Sequence, residues 1–226
     1  ADSVRFPAEV GHQINRVLRL KPGEHVMVLD GSGDEIEVNL TDVSPEATCG
    51  SILSRRTAPG EPQAKVTLYL GLTQREKFEW MLQKCTEVGA AAFVPMITAR
   101  SLVQDAAEAA RKLERWQKIV QEAAEQSGRG RVPVVHTPVK FAASLQDQKQ
   151  NDASLFAWEE EHALLITTAL SQSVNQGRMN VAVWIGPEGG FTAQEAALAQ
   201  QACIQAVTLG PRILRMETAA VAATVL

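Results

Sequence analysis

Two short stretches combine residue types suited to holding a ligand. Gly186, Pro187, Glu188, Gly189, Gly190 and Phe191 follow the apolar run Val181 to Ile185. About twenty residues later, Leu209, Gly210 and Pro211 lead into Arg212, Ile213, Leu214 and Arg215. Glycine lets a ligand approach the backbone closely, and the loop amides then act as hydrogen-bond donors. Each stretch falls where a strand gives way to a helix. The carboxyl ends of neighbouring strands are where an open α/β sheet holds its ligand. Either loop alone also fits an ordinary strand-to-helix turn; the pair is much more specific. Neither has the Lys-Ser/Thr of a phosphate-cradling P-loop, and the dinucleotide pattern G-x-G-x-x-G is absent. The site therefore lacks the marks of a phosphate cradle. The four histidines, His12, His25, His136 and His162, lie outside both loops.

The motif IGPEGGF, at Gly186, Pro187, Glu188, Gly189, Gly190 and Phe191, resembles the first cofactor loop of the bacterial 16S ribosomal RNA uridine-N3 methyltransferases of the SPOUT superfamily. LGPRILRMETA resembles the second, at Leu209, Gly210, Pro211, Arg212, Ile213, Leu214, Arg215, Glu217, Thr218 and Ala219. The family usually has Thr where this chain has Met216. The resemblance extends upstream through KFEWMLQKCTEVG and FVPMITARS, at Lys84, Glu87, Gly89, Pro95, Arg100 and Ser101, and through EQSGR. It implies an α/β fold with a mostly parallel sheet and a C-terminal trefoil knot, preceded by a small PUA-like β-barrel. Pattern reasoning alone would reject a knot. The resemblance further implies S-adenosyl-L-methionine as cofactor, with no metal. It also implies 16S ribosomal RNA of the small subunit as substrate, a homodimer with the last helix at its interface, and a cytoplasmic location.

On that reading, Gly186–Phe191, Leu209, Gly210, Ile213, Leu214, Thr218 and Ala219 form the cofactor pocket. Glu188 helps to hold the loops. N3 of uridine carries a weakly acidic imide proton. Its methylation needs that proton lost and the charge on O2 and O4 stabilised. Arg215 and Arg100 are the candidates for contact with the base or its phosphate. Glu217 is a candidate base or orienting group, and equally an acid favoured at a helix N-terminus. Thr218 is a candidate cap. The RNA-contact candidates are Arg16, Arg19, Lys21, Arg55 and Arg56 in the first domain, and Arg129 and Arg131 in the second.

These residues need elements to position them. Residues 1–63 read as a β-rich domain: an edge strand near Val4, a short helix from His12 to Leu20, then strands at His25–Leu29, Glu35–Leu40 and Cys49–Arg56. Asp30–Asp34 is the hairpin turn. VLRLKPG and VLDGSG resemble the family's opening barrel, and the resemblance gives that barrel an RNA-docking role. Glu24, Asp34, Glu35 and Glu37 make much of it acidic. Ala58 to Gln63, with two prolines and a glycine, is the best linker in the chain.

Residues 64–226 then alternate strand and helix. Strands are expected near residues 66, 92, 132, 154, 181 and 206, which implies a parallel sheet covered on both faces. Thr73 and Glu76, and again Thr192 and Glu195, have capping-box spacing. The helix after Thr73 should bury Phe78, Met81, Leu82, Cys85 and Val88, and end at Gly89. Lys84 and Glu87 are spaced to pair on its surface. Asp105 to Ser127 reads as one long helix with a stripe of Leu113, Trp116, Ile119, Val120 and Ala123. Short helices are expected at Phe141–Gln148 and Ala163–Leu170, and a turn at Asn175–Gly177.

Composition agrees with a globular protein: 45% of residues are hydrophobic and 21% charged. No apolar run approaches the roughly 18 residues of a membrane span. Three scattered cysteines argue against a disulfide framework or a zinc site. The net charge of −4 confines any RNA contact to local basic patches. Ala1 is not an initiator and the family's last helix runs beyond Leu226, so terminal sequence is expected to be missing. Two other readings remain. One is a non-catalytic RNA-binding or ribosome-assembly factor on the same fold, marked by failure to bind the cofactor. The other is a transferase using a different adenine ligand, which competition with ATP or NAD would reveal.

Overall fold

Alternation from Asp34 onward puts Ile36, Val38 and Leu40 on one face of a strand, and all three are buried. In the computed structural model, which describes residues 2–44, 47–173 and 179–226 with the backbone alone at 147–149, the chain divides into two units. The first is Ala1–Glu61 with Gly128–Arg131; the second is Pro62–Ser127 with Val132–Leu226.

The first unit contains β1 (Ser3–Arg5), α1 (Ala8–His12), β2 (His25–Leu29), β3 (Asp34–Val43) and β4 (Thr48–Thr57). The strands form an antiparallel sheet in the order β1-β4-β3-β2. Phe6 and Ile14 complete its core. The expected helix at His12–Leu20 begins earlier: α1 runs into a π-helical turn at Gln13–Val17, and Arg19 has a positive φ of 55°. The segment Gly128–Arg131 belongs to this unit. Gly33 N donates to Gly130 O at 3.0 Å, and Arg131 N donates to the Glu61 carboxylate at 3.0 Å.

The second unit carries β5 (Lys65–Gly71), α2 (Arg75–Glu87), β6 (Ala92–Ile97), α3 (Ala106–Ala110) and α4 (Leu113–Ser127). There follow β7 (Val134–Val135), β8 (Val139–Lys140), α5 (Phe141–Ser144), β9 (Ala153–Ala157) and α6 (Ile166–Ser173). The last elements are β10 (Asn180–Ile185), α7 (Ala193–Gln201), β11 (Gln205–Val207) and α8 (Met216–Val225). The sheet is parallel throughout, in the order β11-β9-β10-β5-β6-β7, with β8 also paired to β6. Both faces are covered, so β10 is apolar at every position but its first. Val181, Val183 and Ile185 pack into one core, with side chains of α2, α4 and α8. Ala182 and Trp184 pack into the other, with Phe141 of α5 and Ala196 of α7. Trp184 stacks on Tyr69 at 4.1 Å and donates its indole N–H to Ser144 Oγ at 2.9 Å.

Several local expectations are corrected. Thr73 does not cap α2; Gln74 occupies that position and makes no side-chain cap. Val88 is exposed rather than buried, although Gly89 (φ 112°) does end the helix. The long helix is two helices: Asp105 caps α3, and a turn at Arg111–Lys112 precedes α4. There Lys112 N bonds to Ala109 O, three residues back. Ala109 and Trp116 face the same core, so the apolar spacing runs across the break unaltered. α6 starts at Ile166, because the Glu161 carboxylate takes the amides of Ala163 and Leu164. β8 was not anticipated. Asn175–Gly177 lies outside the described residues. Among the described residues no helix is long and apolar enough to cross a membrane.

Candidate functional site

The two glycine loops converge on one cleft of about 660 Å³, a size that suits a small-molecule ligand. They leave the carboxyl ends of β10 and β11, which are not neighbours as expected: β9 lies between them. Its trailing residues Trp158 and Glu159 therefore enter the cleft wall as well. No local pattern marks this, because Glu159 reaches the cleft only through the pairing of β9 with β10 and β11.

The first loop is packed tightly. Gly190 has φ 67°, its N–H bonds to Pro187 O at 2.8 Å, and a Cβ there would lie 2.1 Å from Glu159 Oε1. A Cβ on Gly71, at the end of β5, would meet Pro187 at 2.6 Å. At Gly71 the obstruction is the proline ring and its backbone nitrogen, which cannot give way; at Gly190 it is the positive φ that favours glycine. Thr192 then caps α7 in a full capping box with Glu195, as its spacing predicted. In the second loop, Gly210 has φ 123°, and Thr208 Oγ1 donates to its carbonyl at 3.0 Å.

Most of the candidates line the cleft: Gly186, Pro187, Glu188 and Gly190 from one loop, with Leu209, Gly210, Ile213, Leu214, Arg215, Glu217 and Ala219 from the other. Phe191 does not line it; its ring is buried against Phe156 at 4.2 Å and Phe141 at 5.5 Å, and anchors the loop in the core. Gly189, Thr218 and Arg100 also lie outside the lining. Thr218 sits inside α8, whose N-cap position is held by Arg215. Arg100 stands behind the first loop and donates through Nη1 to Gly189 O, and to Phe191 O at 3.3 Å. Beside it, Ala99 N donates to the buried Glu195 carboxylate at 2.8 Å. The guanidinium expected to contact the base or its phosphate is thus engaged with the backbone of the first loop.

Glu188 is tied to α2 and the turn before it. It accepts from the Thr73 hydroxyl, and from Lys77 Nζ at 2.9 Å. Burial pushes its carboxyl up, but the Thr73 hydroxyl and the Lys77 ammonium outweigh that, and the group is held below the ordinary carboxylate value. Thr73 thus gives its hydroxyl to this loop rather than to the helix N-terminus. Among the described residues, the side chains of Arg212 and Arg215 have no hydrogen-bond or ion-pair partner. Both are exposed at the cleft.

In the first unit, Arg16, Arg19, Lys21 and Arg131 are exposed. Arg129 is buried and pairs with Glu61 at 3.1 Å, so it is withdrawn from the RNA-facing set. Arg55 pairs with Asp30 at 3.2 Å and Asp34 at 3.3 Å, and Arg56 with Glu35.

A parallel sheet covered on both faces thus carries a ligand cleft built from two glycine loops at the carboxyl ends of its strands. The chain belongs to the RNA methyltransferase family, whose domain model matches residues 60–226. Relatives named ribosomal RNA small subunit methyltransferase E include that of Bacillus subtilis, 35% identical over 97% of this chain and 87% of that one. That of Synechocystis sp. is 37% identical over 92% of this chain and 67% of its own. The crystal structure of the Neisseria gonorrhoeae enzyme of the same name, bound to S-adenosyl methionine, superposes with a TM-score of 0.84 at 33% identity, covering 99% of this chain and 90% of that one.

Proposed function

We propose that this protein transfers a methyl group from S-adenosyl-L-methionine to N3 of a uridine in 16S ribosomal RNA of the small ribosomal subunit. The observation that carries the reading is the convergence of both glycine loops on one cleft, in a fold shared with a relative solved with S-adenosyl methionine. The residues present fit that cofactor. Loop amides and carbonyls offer hydrogen bonds, and Leu209, Ile213 and Leu214 offer apolar surface to an adenine. When bound, the cofactor supplies a methyl group already activated as a sulfonium.

The chain's own residues then hold donor and acceptor in line and manage one proton and one negative charge. Arg215, whose side chain like that of Arg212 has no partner among the described residues, is the cation we assign to the charge developing on the uracil oxygens. Glu217, in the first turn of α8 and on the cleft, either takes the imide proton or orients the base. Arg100 enters as the brace of the first loop. N3 lies on the Watson–Crick edge, so the uridine must be unpaired or flipped.

The finer architecture belongs to the same proposal. After the edge strand β11, α8 returns to pack on α2, β5 and β10, which supports a C-terminal trefoil knot. The antiparallel first unit supports a PUA-like barrel, with Arg16, Arg19, Lys21 and Arg131 as its RNA contacts. A cytoplasmic homodimer completes the reading.

The test is transfer of labelled methyl from S-adenosylmethionine to undermethylated small ribosomal subunits, with product nucleosides identified by mass. The expected product is 3-methyluridine, lost in Arg215→Ala while S-adenosylhomocysteine binding persists. Cofactor binding without transfer would overturn the substrate assignment. Absence of both would favour a non-catalytic assembly factor.

A further inference from the structure

The cleft holds an acid that the catalytic reading leaves unused. Glu159 follows β9, the strand between the two loop-bearing strands, and lines the cleft. Its carboxylate lies against the Gly190 backbone. Three other acids, Glu188, Glu161 and Glu195, are committed. Glu188 is held by Thr73 and Lys77, Glu161 by the amides of Ala163 and Leu164, and Glu195 by Ala99 N and Thr192. Among the described residues, Glu159 has no hydrogen-bond or ion-pair partner. Arg212 and Arg215 line the same cleft, yet neither forms an ion pair with it.

An ionised carboxylate only accepts hydrogen bonds. It attracts hydroxyl and ammonium donors and repels phosphate. Gly190, whose φ of 67° itself favours glycine, leaves that carboxylate room that a Cβ would take. We infer that Glu159 is a specificity residue of the cofactor site. It accepts hydrogen bonds from a non-anionic, donor-bearing part of the adenosyl cofactor and turns away adenine nucleotides that would bring a phosphate there. The inference rests on the cofactor reading above. Three parts of S-adenosylmethionine have the required chemistry: the adenine 6-amino group, the ribose diol and the α-ammonium of the amino-acid arm.

Calorimetric titration of the full chain tests it, using S-adenosylhomocysteine, 5′-methylthioadenosine and ATP against wild type and Glu159→Gln. The variant preserves shape and removes the charge, and an unchanged melting midpoint without ligand verifies its fold. Charge-assisted hydrogen bonds predict that it binds S-adenosylhomocysteine about tenfold or more weakly. The same loss with 5′-methylthioadenosine, which keeps the adenosine but lacks the amino-acid arm, assigns the contact to the adenosine donors. A loss confined to S-adenosylhomocysteine assigns it to the ammonium. The preference of the wild type for 5′-methylthioadenosine over ATP should narrow in the variant. Unchanged S-adenosylhomocysteine affinity in Glu159→Gln overturns the inference and leaves the cofactor reading standing. A wild type that binds no S-adenosylhomocysteine overturns the cofactor reading itself, and the inference with it.

Discussion

Glu188 illustrates how single side chains set the shape of the first loop. Its carboxyl is held below the ordinary value of 4.5: burial opposes ionisation, and the Thr73 and Lys77 contacts more than offset it. A carboxyl depressed in the folded state contributes stability above its unfolded value, and loses it as the pH falls through the folded value. The difference in melting midpoint between wild type and Glu188→Gln should therefore be full at neutral pH and shrink on acidification below 4.5. Thermal scans at stepped pH check this, and a gap that widened on acidification would contradict it. Cysteine chemistry separates in a similar way. Burial pushes the Cys85 thiol up to about 12, against a smaller lowering by a Thr224 hydrogen bond, whereas Cys203 is exposed. The thiolate is the reactive form. Iodoacetamide at pH 8 should label Cys203 and leave Cys85 unmodified until the protein unfolds, as peptide mass mapping would show.

At the scale of elements, the first loop is a bolted part. Arg100 grips two of its carbonyls, and Glu195 reaches from α7 to the amide of Ala99. Removing the guanidinium should loosen cofactor binding more than it slows chemistry. Arg100→Ala is expected to raise KM for S-adenosylmethionine about tenfold, the size of one lost charge-assisted hydrogen bond. The kcat at saturating cofactor should stay within about twofold, and Arg100→Lys should recover part of the loss. A fall in kcat at unchanged KM would return Arg100 to the substrate side. Elements were legible in proportion to how local their causes are. The boundaries of β2 and β6 follow from apolar runs bounded by turn residues, and the Thr192 box from residues three apart. Thr73 has the same spacing to Glu76, but its hydroxyl is claimed by Glu188, 115 residues away. The two-residue β8 has no pattern of its own and exists only through its pairing with β6. The wedging of β9 between β10 and β11, which brings Glu159 to the site, is likewise a long-range pairing that no local signal encodes.

Over the whole molecule, the chain's division follows the same rule. Pro59, Gly60 and Pro62 stand at the first crossing between units, whereas Gly128–Arg131 carries no such signal and its arginines read as RNA-contact candidates of the second domain. Its membership in the first unit depends on Glu61, 68 residues from Arg129. Arg129 is 5% exposed, so its charge is largely out of water and must be compensated. Removing one partner of a buried pair typically costs about 3–5 kcal/mol, while replacing both by neutral groups of similar shape costs far less. Here Glu61 keeps the backbone amide of Arg131 at 3.0 Å when Arg129 is lost, which pulls the cost toward the lower end. Arg129→Ala should therefore destabilise the first unit by about 3 kcal/mol, and Glu61→Gln should leave the guanidinium short of a counter-charge at comparable cost. The double variant Glu61→Gln with Arg129→Met should recover much of the loss. Hydrogen exchange of the β3 and β4 amides reads this out unit by unit. If both single variants lost less than about 1 kcal/mol, the pair would be behaving as an ordinary surface ion pair, and the segment 128–131 would be held by its backbone bonds to Gly33 and Glu61 alone.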